Sequence, residues 1–396
     1  MKIRRLVSQS PGTILVSALG FGEIITSMNL ISRIQTMSSY PIIILSRQPQ
    51  MVRRLYQSKG LTVIALPYPF FAGRRIISDW INKLRPSLIL CVENMIQLRA
   101  DMLELARARH NTSVLLVNAH AYRKSNVLWD VLEDTNHENE RKFRCLDIAG
   151  VVSDEARKYL IGYGVSESSI IMINNLKFDT ANLIVQQEER EMLRRQLGIS
   201  GNEQVLICGS VHLGEEIILL NAFKNIIDRP ELKNIKLIIA PREFYDINKI
   251  IASIKNLGFS VALKTVCSEE PKNSSTIIIV DTLGELKILY SIADVVIVAG
   301  SMLADLLGHN PIEPAILGKP VIVGPYTPSF NDVMDKFLNR KAIIKLQNTE
   351  DLADQVVYLF EHPEIRENLG SLAKAIIEEC GGATAKYLDI IGRLLP

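Results

Sequence analysis

Short apolar runs alternate with helix-forming segments roughly every thirty residues along this chain, and that rhythm restricts its fold more than anything else in the sequence. The first series of runs is Thr13–Ala18, Pro41–Leu45, Thr62–Leu66, Ser87–Val92, Ser113–Val117, Ala149–Val152 and Ile170–Ile173. A second series follows at Gln204–Cys208, Lys236–Ala240, Val261–Leu263, Thr276–Val280, Val295–Ala299, Pro320–Gly324 and Ala342–Lys345. Helices are expected at Ile24–Met37, Gln50–Lys59, Ile76–Leu84, Met102–Arg109, Asp154–Gly162 and Glu188–Leu197, from Glu215, to about Ala293, from Ile312, and at Asp351–Glu361, Pro363–Glu379 and Thr384–Leu395. Strands alternating with helices call for βαβ units and parallel sheets, so the fold class is α/β.

At 396 residues the chain exceeds one compact core, and 47% apolar content is enough to fill two. The charged stretch Thr180–Asn202 reads as the linker. The expected domains are 1–180, 203–375 and a carboxyl-terminal helical segment 376–396 that packs back toward the first. Asn126–Asp147 breaks the rhythm with charged residues and reads as loops or a short exposed helix, a solvated insertion being the plain reading. A net charge of +2 gives no general pull toward nucleic acid. Five scattered cysteines without a CxxC pair speak against zinc and against a disulfide framework, and point to the reducing cytoplasm. No apolar run of membrane-spanning length follows the basic start MKIRRLVSQSPG, so a soluble or peripheral protein is expected.

Polar residues gather where strands hand over to helices, the end of an open α/β sheet that holds ligands. Asp281–Pro325 is the richest such stretch, with an Ala-Gly-Ser loop and a GHNP turn between two apolar runs. Glu313, near a helix start there, is suited to accept hydrogen bonds from a ribose diol; turn formation alone also explains the Gly and Asn. Glu23 follows the first strand in the turn LGFGE, which lacks the GxGxxG spacing of a dinucleotide site. A carboxylate there can take a proton from a hydroxyl, or simply sit in the first turn for the helix dipole. Arg242 ends a strand and can fork onto phosphate or form a surface ion pair. Ser210 and His212 also follow a strand and can reach phosphate or carboxylate oxygens, or serve structure. Lys177 in NNLKFD can offset charge on a departing group, or face the linker.

These segments, in order, resemble those of the Kdo transferase family, which transfers 3-deoxy-D-manno-octulosonate (Kdo) to lipid A precursors. Gly22-Glu23 looks like the segment carrying the family's general base. Arg85–Glu93 (RPSLILCVE) is similar to RPDLxxxxE, Val117–Ser125 to VNARLSxRS, NNLKFD to GNLKFD, and Gly209–Glu216 (GSVHLGEE) to STHEGEE. Pro241-Arg242, Leu283-Gly284-Glu285 and Asn310-Pro311-Ile312-Glu313 match the family's cytidine monophosphate (CMP) contacts, and Ser210 and His212 fall on its donor side. Several positions depart. Met95 stands where a second Glu is expected, Leu213 and His120 replace a Glu and an Arg, PREFYD replaces PRHPER, and the usual apolar anchor is absent.

The resemblance implies two Rossmann-like domains facing across a cleft, the GT-B glycosyltransferase architecture. It implies an inverting transfer from CMP-Kdo to a lipid A precursor in lipopolysaccharide biosynthesis. Glu23 would be the base, Lys177 the stabiliser of the transition state, and Glu93 the stand-in for the missing Glu. No metal, cofactor or nucleic acid is implied. A lipid acceptor implies peripheral contact with the cytoplasmic face of the inner membrane, for which Tyr68–Arg75 (YPFFAGRR) offers aromatic and basic residues. The alternatives are a non-catalytic or acceptor-altered homologue that binds a cytidine nucleotide, and a nucleotide-sugar epimerase.

Overall fold

A computed structural model describes residues 12–58, 60, 62–68, 73–95, 98–121, 135–181, 185–201, 203–267 and 276–396. The basic amino-terminal stretch, the aromatic centre of the YPFFAGRR segment and most of the charged insertion lie outside these residues. The chain divides into two compact units, one of residues 1–180 with 380–396 and one of residues 181–379.

In the first unit the strands are β1 (Thr13–Ser17), β2 (Ile42–Ser46), β3 (Ile64–Pro67), β4 (Pro86–Val92), β5 (Ser113–Ala119), β6 (Ile148–Val151) and β7 (Ile170–Met172). They form one parallel sheet in the order β3-β2-β1-β4-β5-β6-β7. Between them run α1 (Phe21–Met37), α2 (Pro49–Ser58), α3 (Arg74–Leu84), α4 (Ala100–His110), α5 (Thr135–Phe143) and α6 (Asp154–Gly162). All five residues of β1 are buried because helices cover both faces of a parallel sheet. Leu15 points into one apolar cluster with Ile43 and Ile89, while its neighbours Ile14 and Val16 enter another with Ile44 and Leu88. The carboxyl-terminal helix joins that second cluster through Tyr387, Ile390 and Ile391.

The second unit opens with α7 (Gln187–Gln196) and β8 (Gln204–Val211), then α8 (Glu215–Ile227), β9 (Ile235–Pro241), α9 (Ile247–Asn256), β10 (Ser260–Leu263) and β11 (Thr276–Ile279). It continues with α10 (Leu286–Tyr290), β12 (Val295–Val298), α11 (Ile312–Ile316), β13 (Val321–Val323), α12 (Asn331–Asn339), β14 (Ile344–Lys345), α13 (Leu352–Glu361) and α14 (Pro363–Cys380). The last helix, α15 (Ala383–Leu394), belongs to the first unit. The second sheet is parallel, in the order β10-β11-β9-β8-β12-β13-β14.

Every strand expected from the apolar runs is present. Two helices were not anticipated, α9 and α12, and neither has a side-chain cap at its amino end to mark it. The helix expected to reach Ala293 stops at Tyr290, because Ser291, Ile292 and Ala293 donate three residues back in tight turns that lead into β12.

Each sheet has one switch point, where the strand order reverses: between β1 and β4 in the first unit, between β8 and β12 in the second. Loops leaving the two strands of a switch point diverge to opposite faces and open a crevice at their carboxyl ends. Glu23 follows β1 and Glu93 follows β4; Ser210 closes β8, and Gly300 follows β12.

Candidate active site

In the first unit three of the expected residues come together. Glu23 is the third residue of α1, and its side chain turns back over the helix start. Oε2 accepts the Leu19 N–H at 2.5 Å and the Gly20 N–H at 3.3 Å, while Oε1 lies 3.4 Å from the Asn94 amide nitrogen that donates to it. The capping role and the chemical role therefore fall on one carboxylate. Burial and the nearby Glu93 charge raise its pKa to about 7, against the three hydrogen bonds that lower it.

Glu93 occupies the left-handed region (φ 65°), held there because its N–H donates to Val117 O at 2.9 Å. That bend aims its side chain at Thr26 and Lys177. Oε1 accepts from Thr26 Oγ1 at 3.2 Å and lies 3.5 Å from Lys177 Nζ. Lys177 is held from both sides in sequence. Asn118 Oδ1 accepts the Leu176 N–H at 2.7 Å, and Asp179 accepts N–H groups from Gly382 at 2.7 Å and from Thr384. Asn118, also left-handed at φ 58°, donates its own N–H to Tyr387 Oη at 2.8 Å, so α15 braces the loop that carries the lysine. Met95 is buried in the core with Leu98 and Met102, so no side chain at that position takes part. Beside Glu93, a cavity of about 10 Å³ is lined by Asn94, His120 and Tyr159 among others, room for about one water.

In the second unit the organiser is Glu215, which was not singled out from sequence. It is fully buried at the start of α8. Oε2 accepts N–H groups from His212 (3.0 Å) and Gly300 (2.8 Å); Oε1 accepts from Ser301 and Met302, both at 3.0 Å. One carboxylate thus ties the loop after β8 to the loop after β12 across the switch point. Its place in the GEE run three residues after His212 was the available signal.

His212 Nε2 lies 2.7 Å from His309 Nε2 with the rings parallel, so one nitrogen donates and the other accepts. Burial, then Arg242 and His212, lower the His309 pKa to about 4, which keeps that ring neutral near pH 7. His309 was also missed, although GHNP had been noted as a turn. Gly300 (φ 74°) must be glycine, since a Cβ there would sit 2.2 Å from the His309 ring. Arg242 is exposed after Pro241 at the end of β9, its N–H donating to Val211 O at 2.8 Å. Ser210 is left-handed at φ 60°.

The Asn310–Glu313 segment folds on itself: Asn310 Oδ1 accepts the Ile312 N–H at 3.1 Å, and Pro311 precedes α11. Glu313 lies 3.4 Å from Lys287 Nζ, so a ribose would have to compete with that lysine. Glu285 accepts from Thr282 and pairs with Lys264 at 2.9 Å, which lowers its pKa; Leu283 is exposed beside Gly284 (φ 84°). Among the described residues no group of three or more His, Cys, Asp or Glu could hold a metal ion.

The family model for 3-deoxy-D-manno-octulosonic-acid transferase matches residues 2–180, and that for glycosyl transferases group 1 matches residues 217–375. The 3-deoxy-D-manno-octulosonic acid transferase of Haemophilus influenzae is 25% identical over 400 residues, 96% of this chain and 87% of that protein. The chain is similar to the Kdo transferase family along nearly its whole length. The likeness is a distant one: the chain is also 25% identical to the transferase of Chlamydophila psittaci over 79% of this chain and 68% of that one. A bifunctional glycosyltransferase/methyltransferase of Fusobacterium nucleatum is 26% identical over 88% of this chain, which spans only 53% of that longer protein. The fold is shared with a glycosyltransferase from Rickettsia africae (TM-score 0.66, 16% identity, 98% of this chain and 99% of that one). It is shared too with a UDP-GlcNAc 2-epimerase from Neisseria meningitidis (TM-score 0.65, 13% identity, 96% and 100%). The chain thus has the two-domain α/β GT-B architecture.

Proposed function

We propose that this protein is an inverting glycosyltransferase that moves Kdo from CMP-Kdo to a hydroxyl of a lipid A precursor. The observation that carries the reading is the Glu23–Glu93–Lys177 cluster, with Glu23 raised to about 7. A base is most effective when its pKa lies near the working pH, because it is then both available and strong enough to hold the proton. Glu23 takes the proton of the acceptor hydroxyl, the freed oxygen bonds to the anomeric carbon, and the bond from that carbon to the CMP phosphate oxygen breaks. Lys177, oriented by Glu93, offsets negative charge that develops as CMP departs. Ser210, His212 and Arg242 contact the phosphate or the Kdo carboxylate. Leu283–Glu285 and Asn310–Glu313 hold the nucleoside. The step uses no metal. A lipid acceptor brings the protein to the cytoplasmic face of the inner membrane as a peripheral enzyme; among the described residues no helix is long and apolar enough to cross a membrane.

The test is a transfer assay with CMP-Kdo and a lipid A precursor, alongside calorimetry with CMP. Glu23→Gln should retain CMP affinity and lose at least about a hundredfold in turnover. Retained turnover would remove Glu23 from the role. The burial of Met95 favours a second reading, a homologue that binds a cytidine nucleotide without this transfer. CMP binding by the wild type with no turnover on lipid A precursors would select it.

A further inference from the structure

The second unit carries a basic pocket at the opposite end of its sheet from the nucleotide motifs. It holds about 180 Å³, several times the volume of a water, and is lined by Arg190 of α7, Ser291, the Ile316–Leu317 turn, Lys319 and Lys374 of α14. Ser291 precedes β12 and Lys319 precedes β13, so the pocket sits at the amino-terminal strand ends. Three cations line it and no carboxylate does, among the described residues.

Helix carboxyl ends attract cations, and α10 and α11 both end here. That does not use up the charge. These helices have five residues each, and their last carbonyls already accept from Ser291, Leu317, Gly318 and Lys319 amides. Lys319 Nζ donates to Ala293 O at 2.8 Å, but its charge has no close carboxylate. Asp294, whose charge acts on Lys319, has one oxygen engaged by the Val205 N–H at 2.7 Å. Lys374 reaches Glu378 only at 3.9 Å, on a half-exposed helix face. The Arg190 Nε is buried and has no hydrogen-bond partner among the described residues. An unpaired buried donor beside two ammonium groups is the arrangement that a phosphate completes, since its oxygens accept from all three.

We propose that this pocket binds a small phosphate-bearing ligand through Arg190, Lys319 and Lys374, at a site separate from the nucleotide motifs. Burial, with Arg190 and Arg194 nearby, pulls the Lys319 pKa down to about 8 against the pull of Asp294, which is the direction expected of a cation lacking its counter-ion.

The probe is inorganic pyrophosphate, titrated calorimetrically into the full chain, into Arg190→Gln/Lys374→Gln and into Arg242→Gln. Wild type and Arg242→Gln should share one binding event, any second event seen in wild type alone belonging to the donor-phosphate contacts, while the double variant loses about tenfold or more in the shared event as two charge-assisted contacts go. No binding by wild type, or equal affinity in the double variant, overturns the proposal. So does loss of binding in Arg242→Gln alone, which moves the anion to the nucleotide motifs. Should the double variant not fold, a wild-type crystal soaked in pyrophosphate decides: density against Lys319 and Arg190 supports the site, and its absence there refutes it. The outcome does not depend on whether the protein transfers Kdo.

Discussion

Glu23 shows how one side chain takes on two tasks. Its carboxylate closes the first turn of α1, yet burial and Glu93 make the charged form costly, so it holds its proton to about pH 7 rather than 4.5. The folded state therefore binds that proton more tightly than the unfolded chain. The resulting stability is complete below pH 4.5 and fades as pH rises through about 7. In urea titrations Glu23→Gln should not show this decline, gaining on the order of 1–3 kcal/mol over wild type between pH 5 and pH 8. Parallel pH profiles for the two proteins would contradict the shift. His309 runs the other way. Its pKa is depressed from 6.5 to about 4, so its contribution is present above 6.5 and lost as pH falls through 4. Glu215 is the costliest of these positions to change. Glu215→Ala strands four N–H groups and should lose about 3 kcal/mol or more, together with CMP binding, in thermal melts and calorimetry.

At the scale of elements, the strand-to-helix turns are built by close approach. Gly209 leaves room for the buried Tyr290, Gly300 for His309, and Gly324 for the Ser301 carbonyl. Gly300→Ala combines a positive φ with a clash against an aromatic ring; it should cost about 1–3 kcal/mol and displace His309 from His212, detectable as altered histidine titration by NMR. The central strands could be found from sequence because a strand covered on both faces has to be apolar along its length; the edge strands β7, β10 and β14 are less buried and were found by their place in the alternation. Helices α9 and α12 went unanticipated; each continues directly from a single 3-10 turn, Phe244–Asp246 and Pro328–Phe330, and has no side-chain cap at its start. The family motifs drew attention to Glu23, Glu93, Lys177 and Arg242; Glu215 and His309 lie in the GSVHLGEE and GHNP stretches, but neither was given a role. Both of these bond to the loop beyond the other strand of the switch point.

For the molecule as a whole, the chain path makes the first unit discontinuous: it is completed by residues 380–396 after the second unit has been traversed. Tyr387 is the central link, buried among Ile14, Val16 and Val117 and hydrogen-bonded to Asn118 and Gly150. Tyr387→Phe leaves the Asn118 N–H without its acceptor and should cost about 1–3 kcal/mol in chemical denaturation. Truncation after Glu379 should expose the first unit to limited proteolysis while residues 181–379 stay protected; equal cleavage of both would refute that division. Fourteen strand positions, their grouping into two series and the polar residues at their carboxyl ends were written in the residue order, because burial and local turn chemistry act on neighbours in the chain. What arose only on folding was the meeting of distant groups: Glu93 with Lys177, His212 with His309, Glu215 with three amides beyond β12, and a proton held on Glu23 to about pH 7. Those depend on distance through space and on exclusion of water, neither of which has a signature in the spacing of residues along a chain.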